Sequence, residues 1–232
     1  MGASPIPVWQ PSLLDLVDVP AIDLEFSGLE RVWLDAQSWV DHAAGWLTGS
    51  DAVFEQVLET REWQQRSRHM YDRVVQEPRL TAPWDAASSE PLEPAILEEI
   101  RRALCDRYER AFDSVGFNLY RDGRDSVAWH ADHIPEEIEG PVVALLSLGE
   151  PRPFRLRPKE RGAGETRTFF VGRGDLLVTG GNTQRTWDHS VPKVAAAGPR
   201  ISLAYRHGMD PKASAHKRSR PYDAAAAARP ST

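Results

Sequence analysis

Residues 118–132 read N-L-Y-R-D-G-R-D-S-V-A-W-H-A-D. The D-G pair at 122–123 is a turn signal, and strand-like runs lie on both sides of it, over 116–121 and 126–132. Side chains in a strand alternate, so residues two apart point the same way. Asn118 and Tyr120 then share one face, and so do His130 and Asp132. An imidazole and a carboxylate on one face are close enough to share a metal ion. Two ligands do not hold a reactive metal, and His189, in W-D-H-S-V-P, is the candidate third. Two His and one carboxylate with open positions form the ligand set of non-haem Fe(II) oxygenases.

Outward from this stretch the period stays at two. Further short runs follow at 141–148, 152–157, 166–171, 174–179, 186–191 and 199–206. They are separated by turn residues such as G-P, G-E-P, R-G-A-G and G-G-N. About eight short strands at this spacing argue for a sandwich or barrel rather than alternating β-α units. The last run, P-R-I-S-L-A-Y-R-H, places Ile201, Leu203 and Tyr205 on one face and Arg200, Ser202, Ala204 and Arg206 on the other. An unpaired buried guanidinium is costly. A ligand with two carboxylates would satisfy the pair through planar donor forks; so would protein carboxylates such as Asp175 or Asp188. H-x-D alone occurs by chance in many chains. The specific signal is the ordered set N-x-Y, H-x-D, H and R-x-S-x-x-x-R over one strand-rich region.

Before Gly116 the pattern is mixed. Residues 1–12 are Pro-rich and read as an irregular arm, and 22–34 as one or two short strands. Ala36, Trp39, Val40, Ala43 and Leu47 recur at helical steps, predicting a helix that ends near Gly49. Ser50 and Asp51 can cap a second helix carrying Val53, Phe54, Val57 and Leu58. Residues 61–91, rich in Arg and aromatics and broken by Pro78, Pro83 and Pro91, read as a long loop, of a kind often functional. There Arg66, Arg68, Arg73 and Arg79 could meet phosphates, and Tyr71 or Trp84 could stack on a base; the plainer reading is a surface loop pinned by buried aromatics. Pro94 opens a helix lined by Leu97, Ile100, Leu104, Tyr108 and Phe112, with Gly116 as its stop. The expected organisation is an N-terminal extension over 1–91, with a lid at about 61–91, a core over 92–208, and a flexible tail over 209–232.

The 232 residues, 41% hydrophobic with eight Trp, can bury a real core. A net charge of −6 excludes a generic polyanion binder. The charge is uneven: 11 acidic against 2 basic residues from Leu13 to Glu62, but 7 basic against 2 acidic from Arg152 to Arg173. The basic run is compatible with phosphate contact or with a solvated face. The lone Cys105 excludes an internal disulfide framework. No segment has the ~20 apolar residues of a membrane span, and the first residues lack a secretion-signal pattern. A cytoplasmic setting, no membrane partner and a monomer are the expectation.

Residues 116–206 resemble the AlkB family of Fe(II)- and 2-oxoglutarate-dependent dioxygenases. The matching pieces are N-L-Y-R-D-G, W-H-A-D, L-L-S-L-G, F-R-L-R, G-D-L-L-V-T-G-G, W-D-H-S-V-P and G-P-R-I-S-L-A-Y-R. The resemblance implies an α+β chain with a double-stranded β-helix (jelly-roll) core and N-terminal flanking helices. It implies Fe2+ on His130, Asp132 and His189, with O2 as co-substrate. It implies 2-oxoglutarate held at its far carboxylate by Arg200 with Tyr120 and near the metal by Asn118 with Arg206, with Ser202 on the same face. The implied activity is oxidative dealkylation of N-methylated bases, most simply DNA repair, releasing formaldehyde, succinate and CO2. The base would be flipped out or single-stranded, stacked on Tyr71 or Trp84, near Trp129 and Ile134. Relatives that repair bases usually carry an acidic residue two positions after the metal Asp; this chain has Ile134, with Glu136 and Glu137 just beyond. RNA, a small molecule or a protein side chain as substrate, or an inactive nucleic-acid-binding module, remain alternatives.

Overall fold

The computed structural model describes residues 19–70 and 73–208. Tyr71, the Pro-rich arm and the 209–232 tail lie outside the described residues. The elements in chain order are β1 (Ala21–Ile22), β2 (Glu30–Trp33), β3 (Ser38–Ala43), β4 (Leu47–Thr48), α1 (Ser50–Thr60), β5 (Ser67–Met70), β6 (Arg73–Gln76), β7 (Leu80–Asp85) and α2 (Ile96–Tyr108). There follow β8 (Phe112–Tyr120), β9 (Val127–His130), β10 (Val143–Gly149), β11 (Arg152–Pro158), β12 (Arg167–Val171), β13 (Asp175–Gly181), the one-turn α3 (Thr183–Thr186), β14 (Trp187–Val191) and β15 (Arg200–His207).

Among the described residues a seven-stranded sheet runs β2-β3-β13-β10-β15-β8-β7, and a four-stranded sheet runs β12-β11-β14-β9. Their pairings are antiparallel. Val40, Tyr120, Leu145, Leu177 and Ala204 of the large sheet meet Phe154, Leu156, Val171, Trp187 and Val191 of the small one in a core between the two. The other face of the large sheet carries Phe117, Leu119, Leu146, Leu176, Leu203 and Tyr205, covered by Phe54 and Val57 of α1 and Leu97, Ile100 and Leu104 of α2. Both faces of the large sheet are therefore buried along its central strands. That is why β10, V-A-L-L-S-L-G, reads as an almost continuous apolar run and is buried at every position. The two-layer β core matches the jelly-roll expectation, and the eight predicted strands are all present.

Four expectations for the N-terminal half are corrected. Residues 36–47 hold strand β3, not a helix. Val40 faces the inter-sheet core while Trp39 and Ala43 face the helix side, so burial on two faces mimicked a three-and-four spacing. Among the described residues, α1 and α2 are the helices longer than one turn before the core, and α1 starts after Gly49 (φ 61°). α2 ends at Tyr108, where Glu109 is left-handed (φ 51°) and donates its backbone N–H to Cys105 O. Gly116 lies inside β8 instead of stopping the helix: a Cβ there would stand 2.9 Å from the Arg206 guanidinium. Residues 61–91 are not one loop. β5 and β6 form a hairpin, and β7 joins the edge of the large sheet, where Pro83 is tolerated because an edge N–H needs no partner. With β2, β3 and β7 in the large sheet, a division at residues 91 and 92 passes through the sheet and not between domains.

Candidate active site

β14 and β9 pair with His189 directly opposite His130, on the inner face of the small sheet. Their rings stand 4.2 Å apart, centroid to centroid. Asp132, two residues past His130, brings its carboxylate to the same point. Ligand atoms of the three all lie within 4.8 Å of one another, a spacing that lets one metal ion meet all of them.

Each ligand is oriented by its surroundings. The carbonyl of Ala128, 2.9 Å from His130 Nδ1, can only accept. Nδ1 therefore carries the proton and Nε2 is left as the free donor atom. Burial pulls the His189 imidazole down to about 4, with His130 and Arg206 adding to it against the opposing Asp132, so the ring is neutral at pH 7. Burial alone would raise Asp132, but Arg206, His189 and His130 outweigh it and hold the carboxyl at about 2. A neutral imidazole and an ionised carboxylate are the forms that bind metal. Arg206 Nη2 donates to Asp132 Oδ1 at 2.9 Å, through the space left by Gly116.

The loop after Asp132 is clamped from α3. Gln184 Oε1 accepts the Asp132 backbone N–H at 3.0 Å, while its Nε2 donates to Thr179 Oγ1. Arg185 Nη2 donates to the carbonyls of Pro135, Glu136 and Ile138. One glutamine and one guanidinium thus fix the segment that carries the acidic ligand.

Beside the triad lies a cavity of about 340 Å³, lined among others by Asn118, Tyr120, Leu145, Ser202 and Arg206. Register places Arg200 opposite Tyr120, and Ser202 opposite both Asn118 and Ser147. Arg200 is 1% exposed. Its Nη2 donates to Ser147 Oγ at 2.7 Å and its Nε to Val171 O at 3.2 Å, whereas Nη1 makes no hydrogen bond of ordinary geometry. Neither Asp175 nor Asp188 bridges it. Burial draws its pKa down to about 10, so it is still a cation at neutral pH. Two guanidiniums approach the Tyr120 ring, Arg200 at 5.3 Å and Arg152 at 5.8 Å from its centroid. A buried cation packed against the cavity-lining Tyr120, on the same strand face as the cavity-lining Ser202 and Arg206, is a donor that suits a keto-diacid: chelation at the triad end, a carboxylate toward the guanidinium at the other.

Other expected site residues lie elsewhere. Trp84 faces the helix-side core and donates its indole N–H to Glu90 O at 3.0 Å, so it does not stand over the metal. Alternation along β7 turns Thr81 toward the cavity instead. Ile134 is buried in the inter-sheet core, and it is His133 that lines the cavity. Arg152, counted with the basic run, is buried and donates to the carbonyls of Asp122, Asp125 and Pro192, tying two loops together instead of meeting phosphate. Arg79 lines the cavity, donates to Asn118 Oδ1 at 3.0 Å and pairs with Glu77 at 2.9 Å. Ser147 and Gln184 were missed in the sequence: a serine in an apolar run and a glutamine in a short turn carry no local signal of their partners.

Residues 39–218 match the model of the 2OG-Fe(II) oxygenase superfamily. The chain is 32% identical over 214 residues to alpha-ketoglutarate-dependent dioxygenase alkB homolog 3 of Bos taurus, covering 85% of this chain and 73% of that one, with the same figures for the Homo sapiens protein. It is 39% identical over 119 residues to DNA oxidative demethylase ALKBH2 of Arabidopsis thaliana, covering 41% of this chain and 37% of that one. The solved structure of OsALKBH1 superposes with a TM-score of 0.55 at 13% identity, over 77% of this chain and all of that one, which supports the fold. No helix among the described residues is long and apolar enough to cross a membrane. A triad that fits iron, a pocket that fits a keto-diacid and this degree of likeness agree, and the chain belongs to the AlkB-like branch of the 2OG-Fe(II) oxygenases, dioxygenases that depend on ferrous iron and 2-oxoglutarate.

Proposed function

We propose that this enzyme removes N-methyl groups from bases in nucleic acid, single-stranded or flipped-out DNA being its substrate. The carrying observation is the convergence of His130, Asp132 and His189 on a cavity whose strand face, through Ser202 and Arg206, also carries the buried Arg200. In this reading the triad holds Fe2+, Arg200 and Tyr120 hold the far carboxylate of 2-oxoglutarate, and Asn118, Ser202 and Arg206 line the end near the metal. When bound, the iron with 2-oxoglutarate and O2 supplies the oxidising power for hydroxylating an N-methyl carbon. The hydroxymethyl product then sheds formaldehyde.

The protein contributes position. Arg206 neutralises Asp132 and keeps it ionised. Tyr120, Leu145 and Phe154 give the cavity an aromatic and aliphatic wall beside its polar lining. Relatives named as DNA oxidative demethylases support a nucleic-acid substrate. The test measures succinate formation with N-methylated single-stranded DNA, with the matching RNA and with neither. Turnover coupled to methylated DNA and accompanied by formaldehyde is expected. Turnover indifferent to nucleic acid would reject the substrate class, and turnover on RNA alone would reject DNA.

A further inference from the structure

We propose that the outer face of the four-stranded sheet is a track for the single strand that carries the target base; the inference rests on the dealkylase reading above. Phe154 and Leu156 of β11 face the inter-sheet core, so Arg155 and Arg157 face outward, while Pro153 on the same side is buried. Direct pairing puts Phe170 opposite Pro153, Thr168 and the buried Ser190 opposite Arg155, and Asp188 opposite Arg157, all on that side of the sheet. Arg155 and Arg157 are exposed. The Arg157 guanidinium lies 4.4 Å from the centroid of the Trp129 ring, and its ion pair with Asp188 is long, 3.4 Å. At the far edge Phe170 is 68% exposed. Two aromatic rings thus flank two arginines across strands β9 to β12, a width of about 14 Å at three strand spacings.

This face joins the reaction centre. Trp129 immediately precedes His130. A cavity of about 330 Å³ lies at this edge, lined by Arg79, Trp129, His130, Pro192 and Lys193, and it shares Arg79 and His130 with the metal cavity. The occupant follows from charge and shape. The chain as a whole carries −6, yet this face presents cations between aromatic rings. A polyanion with flat apolar faces is the complement, and base–aromatic stacking with backbone cation contacts is how single strands are held without sequence preference. A duplex would bury its base faces and leave Trp129 and Phe170 without a role.

The experiment measures affinity of the full chain for an unmethylated single-stranded 15-mer DNA as a function of salt. The variants are Arg155→Glu with Arg157→Glu, Arg155→Glu alone, and Trp129→Ala. A control, Arg102→Glu with Arg124→Glu, makes the same change in net charge at arginines 71% and 89% exposed outside this face. Loss of two phosphate contacts should lower the slope of log K against log salt by about 1.4, at ~0.7 per contact on a single strand. Trp129→Ala should weaken binding on the order of tenfold with the slope unchanged. An unchanged slope in the double variant, or an equal loss in the control, would overturn the track. Arg155→Glu alone guards against misfolding caused by losing the Arg157–Asp188 contact, and should give about half the slope change. If the wild type turns over methylated DNA but its salt slope does not respond to these variants, the track alone fails. If the wild type neither binds nor turns over nucleic acid, the dealkylase reading itself fails.

Discussion

Arg200 gives the sharpest test of the co-substrate pocket, because its effects on the ligand and on the fold separate. Replacing it by Met keeps most of the volume and removes the cation. In the free protein two changes oppose each other. A buried charge with an open Nη1 disappears, which is favourable, while Ser147 Oγ and Val171 O lose a donor, which is not. In the proposed binding mode, with 2-oxoglutarate present a desolvated guanidinium–carboxylate pair is lost, and truncating one partner of such a pair costs about 2–5 kcal/mol. That is roughly a 30-fold to several-thousand-fold rise in Kd at 1.4 kcal/mol per decade. The assay is thermal unfolding with Co2+ in place of iron, with and without 2-oxoglutarate. At a concentration of 100 times the wild-type Kd the ligand should stabilise the wild type by about 2.7 kcal/mol. That corresponds to a rise in Tm of about 5–10 °C for a chain of this size. The variant, weakened 100-fold, should gain only about 0.4 kcal/mol at the same concentration. An equal Tm rise in Arg200→Met would refute the role of this guanidinium. Arg200→Lys, which keeps charge but not the planar fork, should fall between the two.

Asp132→Ala should abolish high-affinity Co2+ or Fe2+ binding, measured by titration calorimetry, with far-ultraviolet circular dichroism unchanged; retained metal affinity would mean the triad is misassigned. Gln184→Leu removes the acceptor that fixes the Asp132 backbone, and metal affinity should fall about 10–100-fold, as for other partners that orient ligands. Unaltered affinity would make Gln184 a packing residue only. Asp41, fully buried in β3, accepts from Arg31 at 2.6 and 2.8 Å and from the Tyr108 hydroxyl at 3.0 Å. Tyr108→Phe removes one hydrogen bond to a charged acceptor and should cost about 1.5–3 kcal/mol in urea unfolding, with metal binding unchanged because this cluster lies outside the metal cavity.

The half of the chain after residue 112 was legible because its strands obey one rule: alternate side chains, turn residues between. His130 with Asp132, and Arg200 with Ser202, Ala204 and Arg206, could be assigned to common faces from spacing alone. The remainder was hidden for identifiable reasons. β3 lies in a sheet covered on both sides, so its apolar positions fill two faces and imitate a helix. Pro83 argued against a strand, yet β7 sits at a sheet edge. Trp84 looked like a stacking platform because nothing in the sequence says which face of an unrecognised strand it occupies. Arg152 was counted as surface charge, whereas three carbonyls from distant loops receive it. Gln184 and Arg185 act on a loop some 50 residues away in the chain, a partnership that only the fold creates.

The register of β14 against β9 has a consequence for assembly. A slip of one residue sends every side chain of a strand to the opposite side of its sheet. His189 and His130 face each other in one alignment and would point in opposite directions in its neighbours. β9 borders the small sheet and, among the described residues, has a single strand beside it, so its alignment has few other constraints. An ion that requires both imidazoles therefore rewards one alignment and no other. Ferrous iron would act as a proofreader of strand pairing before it ever meets a substrate, and metal-free chains should show faster amide hydrogen exchange along β9 than loaded ones.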